Sequence, residues 1–338
     1  MEETVKDVGE FGLIDRIAKD LIYRPELVVI GSGDDGAVYR VPSGYDQVIS
    51  TDTMVEGIHF IKKTMRPSDV GYKLCASNFS DMAAMGADAI GFVISAALPE
   101  QLPVSWVESL YEGIRECCSS YRVNLLGGDV TGSPGGVILT GTVVGMVPKG
   151  RAVTRSGARF GDLVFATETL GDSAAGLSAL LAGLSEEYPS LCERHQRPRP
   201  QIKLGSALRA AGATSLNDVS DGLSSEINEI AKASHVEIEL FRGKIPISEE
   251  AGKLGARLSK DPLDWALTGG EDYELIGTIS EEDLQKLDPL LPVSVIGRVT
   301  QEGTGIVYLT DRDGKNRLFA KGYDHFGDSC PMIRQSSI

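Results

Sequence analysis

Residues 27–42 read LVVIGSGDDGAVYRVP, an apolar run followed by a glycine-rich turn and then by a second, alternating run. Residues 31–36 fit the G-x-G-x-x-G pattern of dinucleotide-binding folds, and Asp52 follows about 20 residues later, as that fingerprint requires. A dinucleotide-binding loop must open a helix whose N-terminus faces the pyrophosphate. Residues 37–41 instead alternate like a strand and stop at a proline. The stretch therefore predicts strand, turn and strand, and it argues against a Rossmann dehydrogenase.

The rest of the chain alternates between strand-like and helix-like segments, which is typical of an α/β or α+β protein. The predicted strands are 47–51 (ending at Asp52), 90–98, 123–126, 137–147, 163–167, 215–219, 236–240, 273–279 and 293–299. The predicted helices are 11–21, 67–85, 104–121, 173–184, 202–211 and 224–233, with a polar connector at 186–200 and a polar tail after residue 299. A polar turn at residues 148–151 separates two α/β halves of similar size, so we expect domains 1–148 and 149–338.

Composition excludes several classes of protein. Of the 338 residues 42% are hydrophobic, which is enough for real cores, and the net charge of −15 disfavours binding to nucleic acid or to anionic membranes. The five cysteines form no CxxC pair, and the N-terminus has no apolar signal segment. No apolar run reaches the length needed to span a membrane. We therefore expect a cytoplasmic protein with reduced thiols.

Aspartates recur beside glycine or hydroxyl residues, at the ends of strand-like runs or inside a helical pattern. They are Asp35, Asp52 (with Ser50 and Thr51), Asp81, Asp129 (after Gly128), Asp218 and Asp221 (beside Ser220). Each alone is commonly a turn former or a helix cap, and Asp221 could simply cap the helix that follows it. As a set, oxygen ligands without His or Cys suit Mg²⁺, which shares carboxylates with substrate phosphates. The set therefore predicts a magnesium-bridged polyphosphate site.

Further candidates lie in the second half of the chain. Arg155 could donate to a phosphate or be an ordinary surface arginine at the domain junction. Residues 268–275 place acids, including Glu271, at the mouth of a strand, or they form a plain turn. His59 and Tyr323 are uninformative when taken singly.

Assembled in order, these motifs resemble the thiamine-monophosphate kinase family of the aminoimidazole ribonucleotide (AIR) synthetase superfamily. The matching segments are residues 9–11, 33–35, 50–53, 59–60, 80–87, 127–129, 154–158, 171–177, 220–223, 269–275 and 321–326. The resemblance implies two α/β domains, an N-terminal domain that pairs across a homodimer, and a nucleotide held between the domains. It also implies ATP-dependent phosphorylation of thiamine monophosphate to thiamine diphosphate by direct in-line transfer, with several Mg²⁺ ions.

The resemblance also implies roles for individual residues. Residues 1–148 would bind ATP and Mg²⁺ and dimerise, and residues 149–338 would complete the ATP and substrate site. Metal ligands would be Asp35, Ser50, Thr51, Asp52, Asp81, Asp129, Asp218 and Asp221. ATP would contact Gly128, Asp129, Arg155 and Ser220, and thiamine monophosphate would contact His59, Glu271 and Tyr323. No side-chain nucleophile or base is expected, because the acceptor phosphate is already mostly dianionic.

Three alternatives differ in class. Another superfamily enzyme is the nearest, although no cysteine precedes Cys75 to serve as the reactive residue of a selenophosphate synthetase, and Cys330 is not terminal as in a hydrogenase-maturation relative. An acidic calcium-binding scaffold would consume no ATP. A dehydrogenase would bind nicotinamide.

Overall fold

The computed structural model describes residues 2–19, 21–32 and 35–323. Within these ranges the chain forms two compact units, one of residues up to 82 together with 88–149, and one of 83–87 together with 150–323. Gly33 and Asp34 of the predicted acidic turn, the 324–326 end of the last family motif, and Cys330 lie outside the described residues. Among the described residues, no helix has both the length and the apolar character needed to cross a bilayer.

Up to residue 149 the chain contains three helices and six strands among its described residues. They are α1 (Val5–Ile17), β1 (Val28–Ile30), β2 (Val38–Tyr39), β3 (Tyr45–Val55), α2 (Pro67–Ala84), β4 (Asp88–Leu98), α3 (Val104–Tyr121), β5 (Asn124–Gly132) and β6 (Ile138–Pro148). Strands β1 and β2 pair antiparallel, and the described residues from 35 to 55 contain strands and no helix. The prediction of a strand rather than a nucleotide-binding helix after the glycine-rich turn is confirmed.

A four-stranded sheet in the order β3-β6-β4-β5 organises the first unit. Strand β6 pairs antiparallel with both β3 and β4, and β4 pairs parallel with β5 through the α3 crossover. Helix α2 covers one face of the sheet, where the Phe79 ring meets Phe92 of β4 edge to face at 5.5 Å. Helix α3 packs closely against α2, because a Cβ at Gly113 would lie 1.8 Å from the Ser68 carbonyl oxygen. One sheet face is thus buried under helices.

The opposite face of this sheet, here named the open face, carries side chains that are wholly or partly exposed. It comprises Ile49, Thr51 and Thr53 of β3, Val93 and Ser95 of β4, Asp129 of β5, and Ile138, Thr140 and Thr142 of β6. Ile49 is 71% exposed, and Val93 and Ile138 are each 38% exposed. Large β-branched apolar side chains in one exposed band are characteristic of interaction surfaces.

The remainder of the chain forms the second unit. Its elements are β7 (Leu163–Thr167), α4 (Asp172–Leu181), α5 (Pro189–Gln196), α6 (Ile202–Ala211), β8 (Ser215–Asp218), α7 (Leu223–Ser234), β9 (Val236–Phe241), α8 (Glu249–Leu258), α9 (Pro262–Thr268), β10 (Leu275–Ile279), α10 (Glu281–Leu284), β11 (Val293–Glu302), β12 (Val307–Asp311) and β13 (Gly314–Arg317). The sheet order is β13-β12-β9-β11-β7-β10-β8. All its neighbours are antiparallel except β12 and β9.

Two apolar cores stabilise this unit. Leu223, Ile227 and Ile230 of α7 pack with sheet residues that include Ile238 and Ile276. A second core joins α4, α5, α8 and α9 through side chains that include Ala175, Leu191, Leu254 and Trp265. The second core fixes the start of α4 relative to α5, and this arrangement is important for the site described below.

Several predicted elements differ from the structure. Strand β3 does not end at Asp52 but continues to Val55, so Asp52 lies inside a strand. The predicted polar connector at 186–200 contains helix α5 and buries Leu191 and His195, and the predicted polar tail contains β12 and β13. Helices α8 and α9 have no counterpart among the predictions. Helix α1 begins and ends earlier than the predicted helix 11–21.

Candidate active site

Strand β3 and helix α2 bring together the predicted residues Ser50, Asp52 and Asp81. Ser50 Oγ donates a hydrogen bond of 2.5 Å to Asp81 Oδ2, and the Asp52 backbone N–H donates to Asn78 Oδ1 at 3.2 Å. Successive side chains of a strand alternate between faces, so Ser50 and Asp52 share the face that meets α2. We call Ser50, Asp52, Asn78 and Asp81 the β3–α2 cluster.

Burial makes Asp52 a receptive site for a cation. Loss of water raises the pKa of its carboxyl above the ordinary value, and a hydrogen bond with Ser77 opposes this shift only in part. A raised carboxylate pKa means that the negative charge lacks compensation in the structure as it stands. Hydroxyl and carboxylate oxygens are the ligands that Mg²⁺ prefers, so the chemistry of the β3–α2 cluster fits this ion.

Gly141 of β6 allows α2 to approach the sheet at this cluster. Gly141 pairs with Asp52 across the ladder, and a Cβ built on it would lie 2.4 Å from the Phe92 ring and 2.6 Å from Asn78 Nδ2. Because Gly141 has no side chain, the space beside it is occupied by the Asn78 side chain. The amide of Asn78 can then reach the Asp52 backbone.

Thr51 and Asp129 lie elsewhere. The Thr51 hydroxyl donates to the Gly141 carbonyl oxygen at 2.7 Å and belongs to the open face, opposite the β3–α2 cluster. Asp129 also belongs to the open face, beside Ser95 in the register of β4 and β5. Two strands separate β5 from β3, a distance of about 14 Å at ordinary strand spacing. The structure does not bring these two residues to Asp52.

The other predicted residues of the first unit occupy separate positions. Asp35 is exposed between β1 and β2. Gly128 packs against β4, where a Cβ would lie 2.2 Å from the Ile94 carbonyl oxygen. His59 accepts a 3.0 Å hydrogen bond at Nδ1 from the Val55 backbone N–H. Across the residues that the structure describes, no group of three or more His, Cys, Asp or Glu side chains is placed to hold a metal ion. The assignment of the eight residues as metal ligands stays a prediction.

In the second unit, Asp218 ends β8, and the turn from β8 to α7 carries Ser220 and Asp221. Glu226, one turn into α7, accepts hydrogen bonds from Ser220 Oγ and the Asp221 backbone N–H, both at 3.1 Å, and from Asn217 Nδ2 at 2.5 Å. Burial and the nearby Glu229 carboxylate raise the pKa of Glu226 to about 7. Helix α7 is capped by Gly222 rather than by Asp221, so the capping role considered for Asp221 is not observed.

Arg155 lies beside the same turn. Its Nε donates to Asn217 Oδ1 at 2.9 Å, and its terminal nitrogen pairs with Glu229 at 3.0 Å. About half of the side chain remains exposed. The guanidinium is therefore held in place near Ser220 with part of its surface accessible.

Two more predicted residues converge on this turn. The Glu271 backbone N–H donates to the Ser220 carbonyl oxygen at 2.7 Å, and the Tyr323 N–H donates to the Asp221 carbonyl oxygen at 3.2 Å. Gly270 (φ +67°) permits the approach, because a Cβ there would lie 2.4 Å from the Ser220 oxygen. Four predicted residues from three distant parts of the sequence thus meet at one turn.

Buried acids anchor the loop that carries Glu271. Burial raises the pKa of Asp272 to about 7, although its carboxylate accepts hydrogen bonds from the Gly171 and Ser173 backbone N–H groups at 2.7 and 3.0 Å. Burial likewise raises the pKa of Glu274 to about 8, against the opposing effects of the Thr167 hydroxyl and Arg194. The loop is fixed to the sheet and to the start of α4.

Sequence reasoning missed three contributors to this region: Glu226, Arg194 and His195. In the sequence, Glu226 looks like any polar residue on the solvent-facing side of the predicted helix. Only its hydrogen bonds in the structure distinguish it from the other acids. Arg194 and His195 lie in the segment interpreted as a connector. The helical spacing of Leu191, Cys192 and His195 is a signal that could have revealed the helix.

Comparisons with known proteins agree with this architecture. Residues 33–147 match the family of AIR synthase related proteins, N-terminal domain, and residues 159–310 match the corresponding C-terminal domain. A thiamine-monophosphate kinase of Bacillus subtilis (strain 168) is 39% identical over 329 residues, covering 94% of this chain and 100% of the relative. The enzyme of that name from Escherichia coli (strain K12) is 40% identical, with 94% and 98% covered.

A solved structure is similar over nearly the whole chain. The structure described as AaThiL complexed with AMPPCP and TMP superposes with a TM-score of 0.77 at 36% identity, covering 95% of this chain and 98% of that one. The two domain families, and relatives that match this chain over nearly its whole length, agree with the motifs quoted from the sequence. The chain belongs to the thiamine-monophosphate kinase family of AIR synthase related proteins.

Proposed function

We propose that this protein transfers the γ-phosphoryl group of ATP to thiamine monophosphate and releases thiamine diphosphate and ADP. The observation that carries the proposal is the convergence of Ser220, Asp221, Glu271 and Tyr323 at one turn of the second unit. These are residues to which the family resemblance gives nucleotide, metal and substrate roles. Relatives that carry this enzyme's name span the chain almost completely, which supports the same activity here.

The chemistry requires little of the side chains beyond binding and charge compensation. The acceptor is a phosphate monoester with a second pKa of about 6, so it is a competent nucleophile at neutral pH without a general base. The barrier is the approach of two polyanions in line, and catalysis of such transfers is mainly positioning and electrostatic stabilisation. We accordingly propose direct transfer, with no phosphorylated residue.

Mg²⁺ is the proposed metal, and the β3–α2 cluster is its best-supported location in the first unit. Residues of this cluster would hold the ion, which would supply positive charge to offset that of the phosphates. Asp52 and Asp81 supply carboxylates, and Ser50 supplies a hydroxyl already oriented by its bond to Asp81. Asp218 and Asp221 are the proposed ligands in the second unit. Asp35, Thr51 and Asp129 are the remaining proposed ligands; Thr51 and Asp129 lie on the open face, and Asp35 lies between β1 and β2.

Nucleotide and substrate contacts are proposed for residues that the structure holds in defined positions. Arg155 and Ser220 are proposed to contact ATP in the second unit, and Gly128 and Asp129 in the first. His59, Glu271 and Tyr323 are proposed to contact thiamine monophosphate. An aromatic ring such as that of Tyr323 is a suitable partner for a cationic heterocycle.

The open face is the proposed dimer interface. A second copy is the natural occupant, because a two-fold contact pairs a surface with itself, and this band of threonine and β-branched apolar side chains carries a single carboxylate, Asp129. A cytoplasmic location is proposed as well, and it is supported by the thiol form of Cys75, Cys117, Cys118 and Cys192, none of which is in a disulfide among the described residues.

One experiment tests the activity. The protein is incubated with ATP, Mg²⁺ and thiamine monophosphate, and the products are followed by phosphorus NMR. The diphosphate resonances of thiamine diphosphate are expected to grow in step with those of ADP. ATP consumption only with another acceptor would favour a different superfamily enzyme, and the absence of any ATP consumption would favour the acidic scaffold.

A further inference from the structure

His195 is a buried, titratable side chain that has no part in the function proposed so far. It lies on α5, within the segment that the sequence presents as a polar connector, and only 2% of the residue is exposed. A buried imidazole needs polar partners, since burying an unsatisfied polar group is costly. Its neighbours therefore indicate what it does.

Two polar groups approach one nitrogen of this ring. His195 Nδ1 lies 3.3 Å from Ser173 Oγ and 3.6 Å from Glu271 Oε2, the second within ion-pair distance. A carboxylate only accepts hydrogen bonds, and a serine hydroxyl can accept as well. Both contacts are therefore favourable when Nδ1 carries the proton and faces the Glu271 carboxylate.

The backbone around Glu271 is fixed independently of this contact. Glu271 (φ 59°) and Tyr273 (φ 52°) adopt the left-handed conformation, which is rare for such side chains. Asp272 and Glu274, between and after them, are buried and bonded, the first to the start of α4 and the second to Thr167. The loop is thus held rigid, and strained backbone of this kind clusters at functional sites.

Helix α5 supports the same loop with a second residue. Arg194, adjacent to His195, places a terminal nitrogen 3.4 Å from Glu274 Oε1. Glu271 differs from its acidic neighbours, since 28% of its side chain remains exposed while Glu274 has 1%. Glu271 is therefore the acid of the loop that can meet a ligand, and His195 lies behind it.

We propose that His195 is a positioning residue, which holds the Glu271 carboxylate in the orientation that receives the cationic, amine-bearing heterocycles of thiamine monophosphate. This inference rests on the proposed function and extends it to a residue of α5. A carboxylate held in place before binding loses less side-chain freedom when the substrate arrives, and this preorganisation favours affinity. His195 acts through Glu271 and does not itself touch the substrate.

Two isosteric substitutions separate positioning from simple packing. In His195→Asn the amide nitrogen takes the place of Nδ1, and in His195→Gln it takes the place of Nε2. Positioning through Nδ1 predicts that His195→Asn keeps a KM for thiamine monophosphate close to that of the wild type. His195→Gln should raise that KM about five- to tenfold, the scale of one ordinary hydrogen bond, while kcat and the KM for ATP stay within about twofold.

A double-mutant cycle supplies the second readout. In a Glu271→Gln background, His195→Gln should raise the KM no further, because the group that His195 orients has lost its charge. An equal rise in both backgrounds would overturn the proposal. Equal behaviour of the Asn and Gln variants would overturn it too, since this is the pattern expected for a residue that only fills space.

Binding measurements keep this proposal distinct from the proposed function. Calorimetric titration of each variant with thiamine monophosphate alone requires no turnover, and the same five- to tenfold difference between the Gln and Asn variants is expected in Kd. A wild-type protein that binds this ligand but forms no thiamine diphosphate would refute the proposed activity alone. A His195→Gln variant that binds as tightly as the wild type would refute the role of His195 alone.

Discussion

Replacement of Gly141 by alanine tests whether the contact between α2 and the sheet creates the β3–α2 cluster. The new methyl group would lie 2.4 Å from the Phe92 ring and 2.6 Å from Asn78 Nδ2, where ordinary contacts are about 3.5–4.0 Å. Relief therefore requires movements of about 1 Å. Phe92 and Asn78 are both fully buried, and Asn78 Nδ2 also donates to the Leu74 carbonyl oxygen at 2.8 Å, so neither neighbour moves freely.

Overpacking of this kind costs about 1–3 kcal/mol of unfolding free energy. At about 2–4 °C per kcal/mol, the first unit of Gly141→Ala should melt several degrees below the wild type. Turnover should fall as well, because the displaced Asn78 amide no longer reaches the Asp52 backbone. Thermal unfolding followed by circular dichroism and a steady-state assay of thiamine diphosphate formation measure the two effects.

Gly132→Ala is the matched control. Gly132 lies in the same sheet, at the end of β5, and a Cβ there meets nothing within 4 Å. This variant should change the unfolding free energy by less than about 0.5 kcal/mol, as is usual for surface substitutions. The reasoning is refuted if Gly141→Ala is as stable and as active as Gly132→Ala.

Three further predictions concern charge and assembly. Asp52→Asn should lower kcat by about two orders of magnitude at unchanged helix content, since the proposed metal ligand is lost. Asp46→Asn, at an exposed position of β3, should match the wild type, and wild-type rates in Asp52→Asn would contradict the ligand assignment. Because burial raises the pKa of Glu274 from 4.5 to about 8, the folded protein holds a proton that the unfolded chain releases, so the unfolding free energy should fall between about pH 5 and 8. Urea titrations at a series of pH values should show that this decrease in unfolding free energy is smaller in Glu274→Gln, by an amount on the order of 3 kcal/mol. If the unfolding free energy of Glu274→Gln depends on pH as steeply as that of the wild type, the Glu274 carboxyl is not the source of the decrease. Ile49→Lys should have half the wild-type mass in light scattering, because the lysine would disrupt the proposed dimer interface. Leu290→Lys, at another exposed apolar position, should keep the wild-type mass. An unchanged mass in Ile49→Lys would place any dimer contact away from the open face.

Local periodicity predicted much of the fold. The helices Val104–Tyr121 and Ile202–Ala211 and the strand Leu163–Thr167 are confirmed to the residue, because their apolar spacing is regular and turn residues bound them. Helix α5 was missed because its polar residues and flanking prolines are also typical of a linker. Strand β3 was cut short at Asp52, because Asp has low strand preference and only pairing with β6 extends the strand.

The site was predictable as a set of residues but not as an arrangement. The alternation of side chains along β3 could have predicted that Thr51 faces away from Ser50 and Asp52, since neighbouring strand residues point to opposite faces of the sheet. The position of Asp129 depends on the order of strands in the sheet, which no local pattern contains. The contact of His195 with Glu271 joins segments 76 residues apart, and it exists only because α4 and α5 pack into one core.

Strand β3 serves two surfaces at once, and this limits how its length can vary. Its even-numbered residues from Ser50 to Met54 contribute to the β3–α2 cluster and the core below it, and its odd-numbered residues from Ile49 to Thr53 form part of the open face. Deletion of one residue near Gln47 would exchange the two sets, placing Ile49 against α2 and the Asp52 carboxylate in the exposed band. Loops on either side of β3 can therefore gain or lose residues, while insertions and deletions within the strand would disrupt the β3–α2 cluster and the open face together.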